Sequence, residues 1–517
     1  MSKVNLDALI PREDFDIRDT VHGSGARKDT ISINDLKGKE FFYSALRKPD
    51  FQRETNEWDS NKICELIGCF LEGDLIPAVI LWKSSTGLIF VIDGSHRLSA
   101  LAAWVNDDYG DGEISRHFYE GIIPDDQVEI ADRTRKLIKR RYGSMRDLQL
   151  SREHPDKVKP EIAARATSLA GLAIQVQWVE GDSSKAESSF FKINQQASPI
   201  DKTEFKVLKA RKQPNGIAAR AIIRSGKGHK YWSAFSEENQ TKIQEIAREI
   251  NTMLFEPELD NPIKTLDLPI AGKMYAAQSL PLILEFINIV NEVPGDNELA
   301  VDTTGEQTIQ YLEKCNKVVR RINSMHSTSL GLHPIVYFYS SYGQHRKASF
   351  LAVTALILGL ESSNGFRAFT GVRARFEEFL LTSAYLVQQI FRNARSALAG
   401  YREVKDFYME CINLLGENST IQAGELIDEM LKQESWKNLT KSVDQAENPT
   451  IKFSQRIQSA IYIRDSLLGA PRCGICGARI HKNSIHFDHR NRIQDGGTGS
   501  IGNGQPSHPY CNNVYKG

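Results

Sequence analysis

Cys473 and Cys476 form a C-x-x-C pair, and His508 and Cys511 form an H-x-x-C pair, with 31 residues between the two. Three thiolates and one imidazole are a donor set for tetrahedral zinc, and a segment with little apolar material needs such a staple. A zinc ribbon alone would stop there. Between the pairs, however, stand Asp488 and His489, and Asn512 directly follows the last cysteine. Hydrolysing a phosphodiester needs a base to activate water and a divalent cation to neutralise charge on the phosphate and leaving oxygen. His489 has the chemistry of that base, while Asp488 and Asn512 offer hard oxygen ligands suited to Mg²⁺ or Mn²⁺.

A second polar cluster sits far upstream in V-I-D-G-S-H-R-L-S-A-L, Val91 to Leu101. A strand-like apolar run ends in Asp93 and Gly94, and His96 and Arg97 then open a helix rich in alanine and leucine. A glycine turn between strand and helix exposes backbone N–H groups at a helix N-terminus, a site for phosphate. Arg97 is placed to clamp phosphate oxygens and Asp93 to hold a metal or a ribose hydroxyl. Taken alone, a capped helix start with a surface arginine would read the same way. Two companions flank it: F-Q-R-E-T-N-E-W, with Gln52 and Arg53, and F-F-K-I-N, which reads as a strand ending in Asn194. No G-x-x-x-x-G-K-[ST] loop occurs, so a Walker-type NTPase is excluded.

The elements that must position these groups follow from length and pattern. A chain of 517 residues exceeds one ordinary core, so two to four domains are expected. Residues 1–210 mix strand-like runs with helical ones; 215–440 read almost throughout as amphipathic helix; 441–469 read as a polar linker and a short helix; 470–517 carry the cysteine pairs. The fold class is therefore α+β with a large all-α middle domain. The 65 basic and 65 acidic residues balance to zero, so overall charge says nothing about a nucleic-acid partner. The last 48 residues, with six Lys or Arg against two Asp, are locally basic. The run R-T-R-K-L-I-K-R-R after Ile130 reads as a solvated helix face, with a DNA-facing patch as the alternative. Four scattered cysteines do not form a disulfide framework, no secretory signal opens the sequence, and no apolar run approaches the ~20 residues of a membrane span. These features predict a cytoplasmic protein.

The C-terminal pattern resembles the HNH endonuclease family, whose ββα-metal fold pairs a D-H strand end with an asparagine on the following helix. The resemblance implies Asp488 and Asn512 as ligands of a catalytic Mg or Mn and His489 as general base. It also makes Asn503 the central asparagine that holds the loop over the base, with structural zinc on the two Cys/His pairs. His508 stands where cysteine is usual, and the helix bearing Asn512 is expected to be short. Upstream, the order Q-R…W, I-D-G-x-H-R-L-x-A-L, F-F-x-I-N resembles the ParB/sulfiredoxin-like domain at the N-terminus of GmrSD-type type IV restriction proteins, with Ser95 in place of the usual glutamine. That resemblance implies an NTP site lined by Gln52, Arg53, Asp93, Gly94, His96, Arg97 and Asn194, with GTP, ATP and CTP all open, and it implies hydrolysis of the NTP there.

The two resemblances together predict an anti-phage restriction enzyme in which an NTP gates HNH cleavage of foreign or modified double-stranded DNA. One HNH site per chain favours a homodimer or sequential nicking. The alternative is a non-catalytic, nucleotide-switched DNA-binding protein of the ParB-like kind; a homing-type or recombination nuclease would make little use of the upstream pocket.

Overall fold

The computed structural model describes residues 3–13, 15, 27–49, 52, 55–119, 123, 125–197, 206, 209–227, 231–274, 279–294, 299–393, 400–441 and 453–516. Arg53 and 442–452 of the expected linker lie outside them, and of Asn194 only the backbone is described. The chain divides into two compact units, the first mainly residues 1–212 and the second nearly all of 213–517.

The first unit is built on a mixed six-stranded sheet of order β1-β3-β5-β4-β6-β2. Its strands are β1 Arg12–Glu13, β2 Thr30–Ser32, β3 Leu46–Pro49, β4 Val79–Lys83, β5 Ile89–Asp93 and β6 Ala173–Trp178. β3 and β5 run parallel, β4 antiparallel to β5. The apolar run of β5 is continuous because both faces of the sheet are covered. Ile89 and Val91 belong to the larger core, with Ile63, Ile67 and Phe70 of the Ser60–Glu72 helix and Leu98 and Leu101 of the Ser95–Asn106 helix. Phe90 and Ile92 point the other way, against Phe15, Trp82, Ala186 and Phe190.

The last two of those residues correct one expectation: F-F-K-I-N is not a strand but lies within the Ser183–Ala197 helix. Asp182 starts that helix by accepting from Lys185 N at 2.9 Å. Ala186 and Phe190, four residues apart, place one helical stripe on the sheet, so the 3.6-residue period prevails over the β-propensity of the two phenylalanines.

The second unit is helical, with Glu237–Phe255, Glu306–Ile322, Lys347–Ser362, Phe366–Thr382 and Tyr401–Glu417 among its longer helices. Lys347–Ser362 is apolar around most of its circumference, as a central helix must be: Phe350, Leu351, Val353, Leu356 and Ile357 are all buried. The same unit contains the cysteine pairs and a two-stranded antiparallel sheet, β7 His486–His489 against β8 Gly504–Ser507. A short turn of π-helix, Cys511–Tyr515, closes the ββ-helix arrangement. Its width shows in Lys516 N, which bonds to Cys511 O at 3.0 Å, five residues back. The molecule thus combines a mixed N-terminal sheet, a large helical body and a small C-terminal β module with its Cys/His cluster. Among the described residues no helix is long and apolar enough to cross a membrane.

Candidate metal centre and anion pocket

The ligand atoms of Cys473, Cys476, His508 and Cys511 all lie within 4.8 Å of one another. His508 Nε2 donates to Arg479 O at 2.9 Å, which fixes the tautomer and leaves the Nδ1 lone pair facing Cys476 Sγ at 3.4 Å and Cys511 Sγ at 3.8 Å. Burial, together with the Arg373 guanidinium, holds this imidazole below its ordinary pKa and so in the neutral, ligating form. The sulfurs compete for one negative charge: hydrogen bonds from Cys476 and Cys511 favour a Cys473 thiolate, while Cys476 is pushed up to about 11, chiefly by that same contact with Cys473. A divalent cation resolves the competition by letting all three ionise, so the donor set fits zinc.

A buried ionic group on the Phe366–Thr382 helix supports this cluster. Arg373 is 1% exposed; its Nη1 reaches Leu330 O and lies 3.4 Å from His508 Nδ1, Nη2 donates to Gly331 O at 2.9 Å, and Nε donates to Glu377 Oε1 at 2.8 Å. Glu377 Oε2 in turn accepts from Arg479 N at 2.9 Å. A site of three thiolates, one imidazole and Zn²⁺ carries a net negative charge, and Arg373 supplies the nearby positive one. Gly331 holds φ +61, and a Cβ there would stand 2.7 Å from His508 Cδ2, so only glycine fits.

β7 ends in Asp488 and His489, whose side chains alternate across the strand. Asp488 is buried, and its Oδ2 accepts from Gln505 Nε2 at 2.8 Å and Lys516 Nζ at 2.6 Å. Burial works to raise this carboxyl, but the Lys516 and Gln505 hydrogen bonds outweigh it and hold the pKa below the usual carboxylate range. Lys516 Nζ also donates to His489 O at 2.5 Å, so a cation bridges the two residues. His489 is half-buried. Asn503 fastens the intervening loop: its Nδ2 donates to Asn491 O at 3.0 Å and Thr498 O at 2.8 Å, and its Oδ1 accepts from Asn491 N at 2.7 Å. Asn512 is half-buried and its backbone bonds to His508 O at 3.0 Å; the neighbouring Asn513 is the one whose amide reaches β7, at 3.3 Å from His486 Nδ1.

In the first unit, Asp93, Gly94, His96 and Arg97 come together at the carboxyl end of β5. Gly94 holds φ +97, and an added Cβ would lie 2.6 Å from Val79 Cγ1. No side chain caps the Ser95–Asn106 helix, so its first N–H groups stay available. Asp93 Oδ2 pairs with Arg97 Nη2 at 2.6 Å, and Arg97 Nη1 donates to Pro77 O at 2.7 Å, which fixes the guanidinium at the helix start. The His96 ring stacks on Trp58 with centroids 5.7 Å apart. Continuing the register Leu46↔Ile89, Arg47↔Phe90 puts Pro49 level with Ile92, so Gln52 emerges at the same sheet edge. Gln52 is buried, and its carbonyl accepts from Arg12 Nε at 3.4 Å. Beneath it Arg12 and Lys48 both pair with the buried Asp7, Lys48 at 2.7 Å.

The residues that sequence reasoning missed are Arg373, Glu377, Gln505, Lys516 and the Asp7–Arg12–Lys48 group. Only Lys516 carried a local signal, a basic residue close to the last zinc ligand.

Residues 33–212 match the family described as GmrSD restriction endonuclease, N-terminal domain, and residues 473–516 match the family described as HNH endonuclease. Together the matches give the chain a GmrSD-like architecture and support a nuclease of the restriction type, with DNA as its partner. Comparison with curated proteins and with solved structures gives no match.

Proposed function

We propose that the C-terminal module hydrolyses DNA phosphodiesters and that the N-terminal pocket binds an NTP that gates the cut, within a defence against foreign or modified DNA. What carries this reading is the cation-bridged pair at the end of β7: Lys516 Nζ lies 2.6 Å from Asp488 Oδ2 and 2.5 Å from His489 O, a position where positive charge is already accommodated. Mg²⁺ or Mn²⁺ bound by Asp488 and Asn512 would neutralise charge on the phosphate and the leaving oxygen. His489 accepts the proton of the attacking water. Asn503 holds the 491–498 loop and with it the backbone that follows His489. Cys473, Cys476, His508 and Cys511 would hold zinc, which would fix the turn that carries Asn512.

In the N-terminal pocket, the uncapped N–H groups after Gly94 and the Arg97 guanidinium receive phosphate, Trp58 and His96 offer an aromatic surface, and Asp93 orients Arg97. Arg53 and Asn194 complete the proposed lining. A cytoplasmic location and a homodimer accompany this reading. The test is DNA cleavage by Asp93→Ala and Arg97→Ala proteins across GTP, ATP and CTP. Changed NTP dependence with the C-terminal site untouched is expected; cleavage indifferent to both substitutions and to every NTP contradicts gating.

A further inference from the structure

A cavity of about 530 Å³ lies in the second unit between the Gln455–Leu468 helix, the end of the Phe366–Thr382 helix and the turn 338–346. That volume is within the range of small-molecule sites. The turn is shaped by Arg346 N bonding to Phe338 O at 2.7 Å and Ser340 N to Gln344 O at 2.9 Å. Ile335, Leu380 and Ile461 supply apolar wall, and Tyr339 and Tyr385 supply rings. The charged lining residues are Arg346 and Arg464, with no Asp or Glu among them.

Arg346 is the unusual member. Its Nε is buried without a hydrogen-bond partner, and among the described residues no carboxylate pairs with it. Arg464, largely exposed, pairs with its neighbour Asp465 at 2.7 Å, which lies outside the cavity lining. Arg346 as a whole is half-buried, and a guanidinium partly withdrawn from water without a counter-charge costs stability that an anion in the cavity would offset. Burial accordingly depresses the Arg346 pKa in the ligand-free molecule.

We propose that this cavity binds a small organic anion with a flat aromatic body, of the chemical class of a nucleoside monophosphate. Arg346 and Arg464 hold its phosphate through charge-assisted hydrogen bonds, and Tyr339 and Tyr385 flank its base. The site is separate from the pocket at the end of β5. It adjoins the Phe366–Thr382 helix, which carries Arg373, and the Gln455–Leu468 helix, which precedes Cys473 in the sequence.

Calorimetric titration of the full-length Arg97→Ala protein with AMP tests it, the Arg97→Ala background removing phosphate binding at the β5 pocket. AMP is expected to bind there. Adding Arg346→Met should weaken binding by about tenfold or more, and adding Ala460→Trp, which fills the cavity, should abolish it. Without AMP, the Arg346→Met protein should melt at the same temperature as its parent or higher, because a half-buried charge with no carboxylate partner has been removed. Absence of AMP binding to the Arg97→Ala protein, or equal binding by all three proteins, would overturn the proposal. So would an Arg346→Met protein that melts markedly lower while keeping its AMP affinity, since the guanidinium would then be structural.

Discussion

Lys516 Nζ occupies one carboxylate oxygen of Asp488, the oxygen that the proposed catalytic cation would need. Replacing the ammonium by an apolar side chain of similar length leaves that oxygen free. Lys516→Met should therefore bind Mn²⁺ roughly tenfold more tightly in the absence of DNA, the equivalent of losing one charge-assisted hydrogen bond. Titration monitored by electron paramagnetic resonance measures this directly, and unchanged affinity would mean that Lys516 and the metal do not share the site. At this scale the sequence was legible where chemistry is local. The ligand pairs announce themselves by spacing, because both members of each lie on one turn. Arg373, 135 positions from the histidine it supports, has no such signal. Nothing in F-R-A-F-T-G-V-R-A-R-F marks which of its arginines is buried.

Two elements hold the Cys/His cluster, and each makes a testable contribution. The 329–332 segment fits under His508 only because Gly331 has no side chain; Gly331→Ala should displace the imidazole and reduce zinc content, measured by elemental analysis of purified protein. On the Phe366–Thr382 helix, Arg373→Met strands Glu377 in the interior and should lower unfolding free energy by about 3–5 kcal/mol in denaturant titrations. Glu378, further along, pairs with Arg472 at 2.8 Å and Arg479 at 3.0 Å. Burial tends to raise its pKa, but the two guanidinium groups dominate and lower it. A carboxyl with a depressed folded-state pKa stabilises fully above its unfolded value, ~4.3, and that contribution is lost as pH falls through the folded value. Glu378→Gln should thus lower the melting temperature at neutral pH, and the deficit should shrink as pH falls below ~4.3. A deficit independent of pH would assign Glu378 a packing role. The sequence reading failed here only for F-F-K-I-N, where aromatic residues suited either period and the stripe formed by Ala186 and Phe190 decides for helix.

For the whole molecule, the helical body and the cysteine pairs share one compact unit. The pattern of amphipathic helices was readable from periodicity, but how a small β module sits against them depends on contacts between distant residues, such as Tyr510 N to Ser329 O at 2.9 Å. Because those contacts run through the turn that carries His508 and Cys511, chelation should lower the thermal transition of this unit along with the metal content. The central claim is that Asp488, His489 and their metal cut DNA. Incubation of the full-length protein with modified phage DNA and unmodified plasmid, in Mg²⁺ or Mn²⁺ with and without each NTP, beside His489→Ala, tests it most directly. Strand scission that disappears in His489→Ala while DNA binding persists is the predicted result. DNA that is bound but never cut, or cut equally by the variant, would contradict it and favour a nucleotide-switched binding protein in the first case and a different catalytic base in the second.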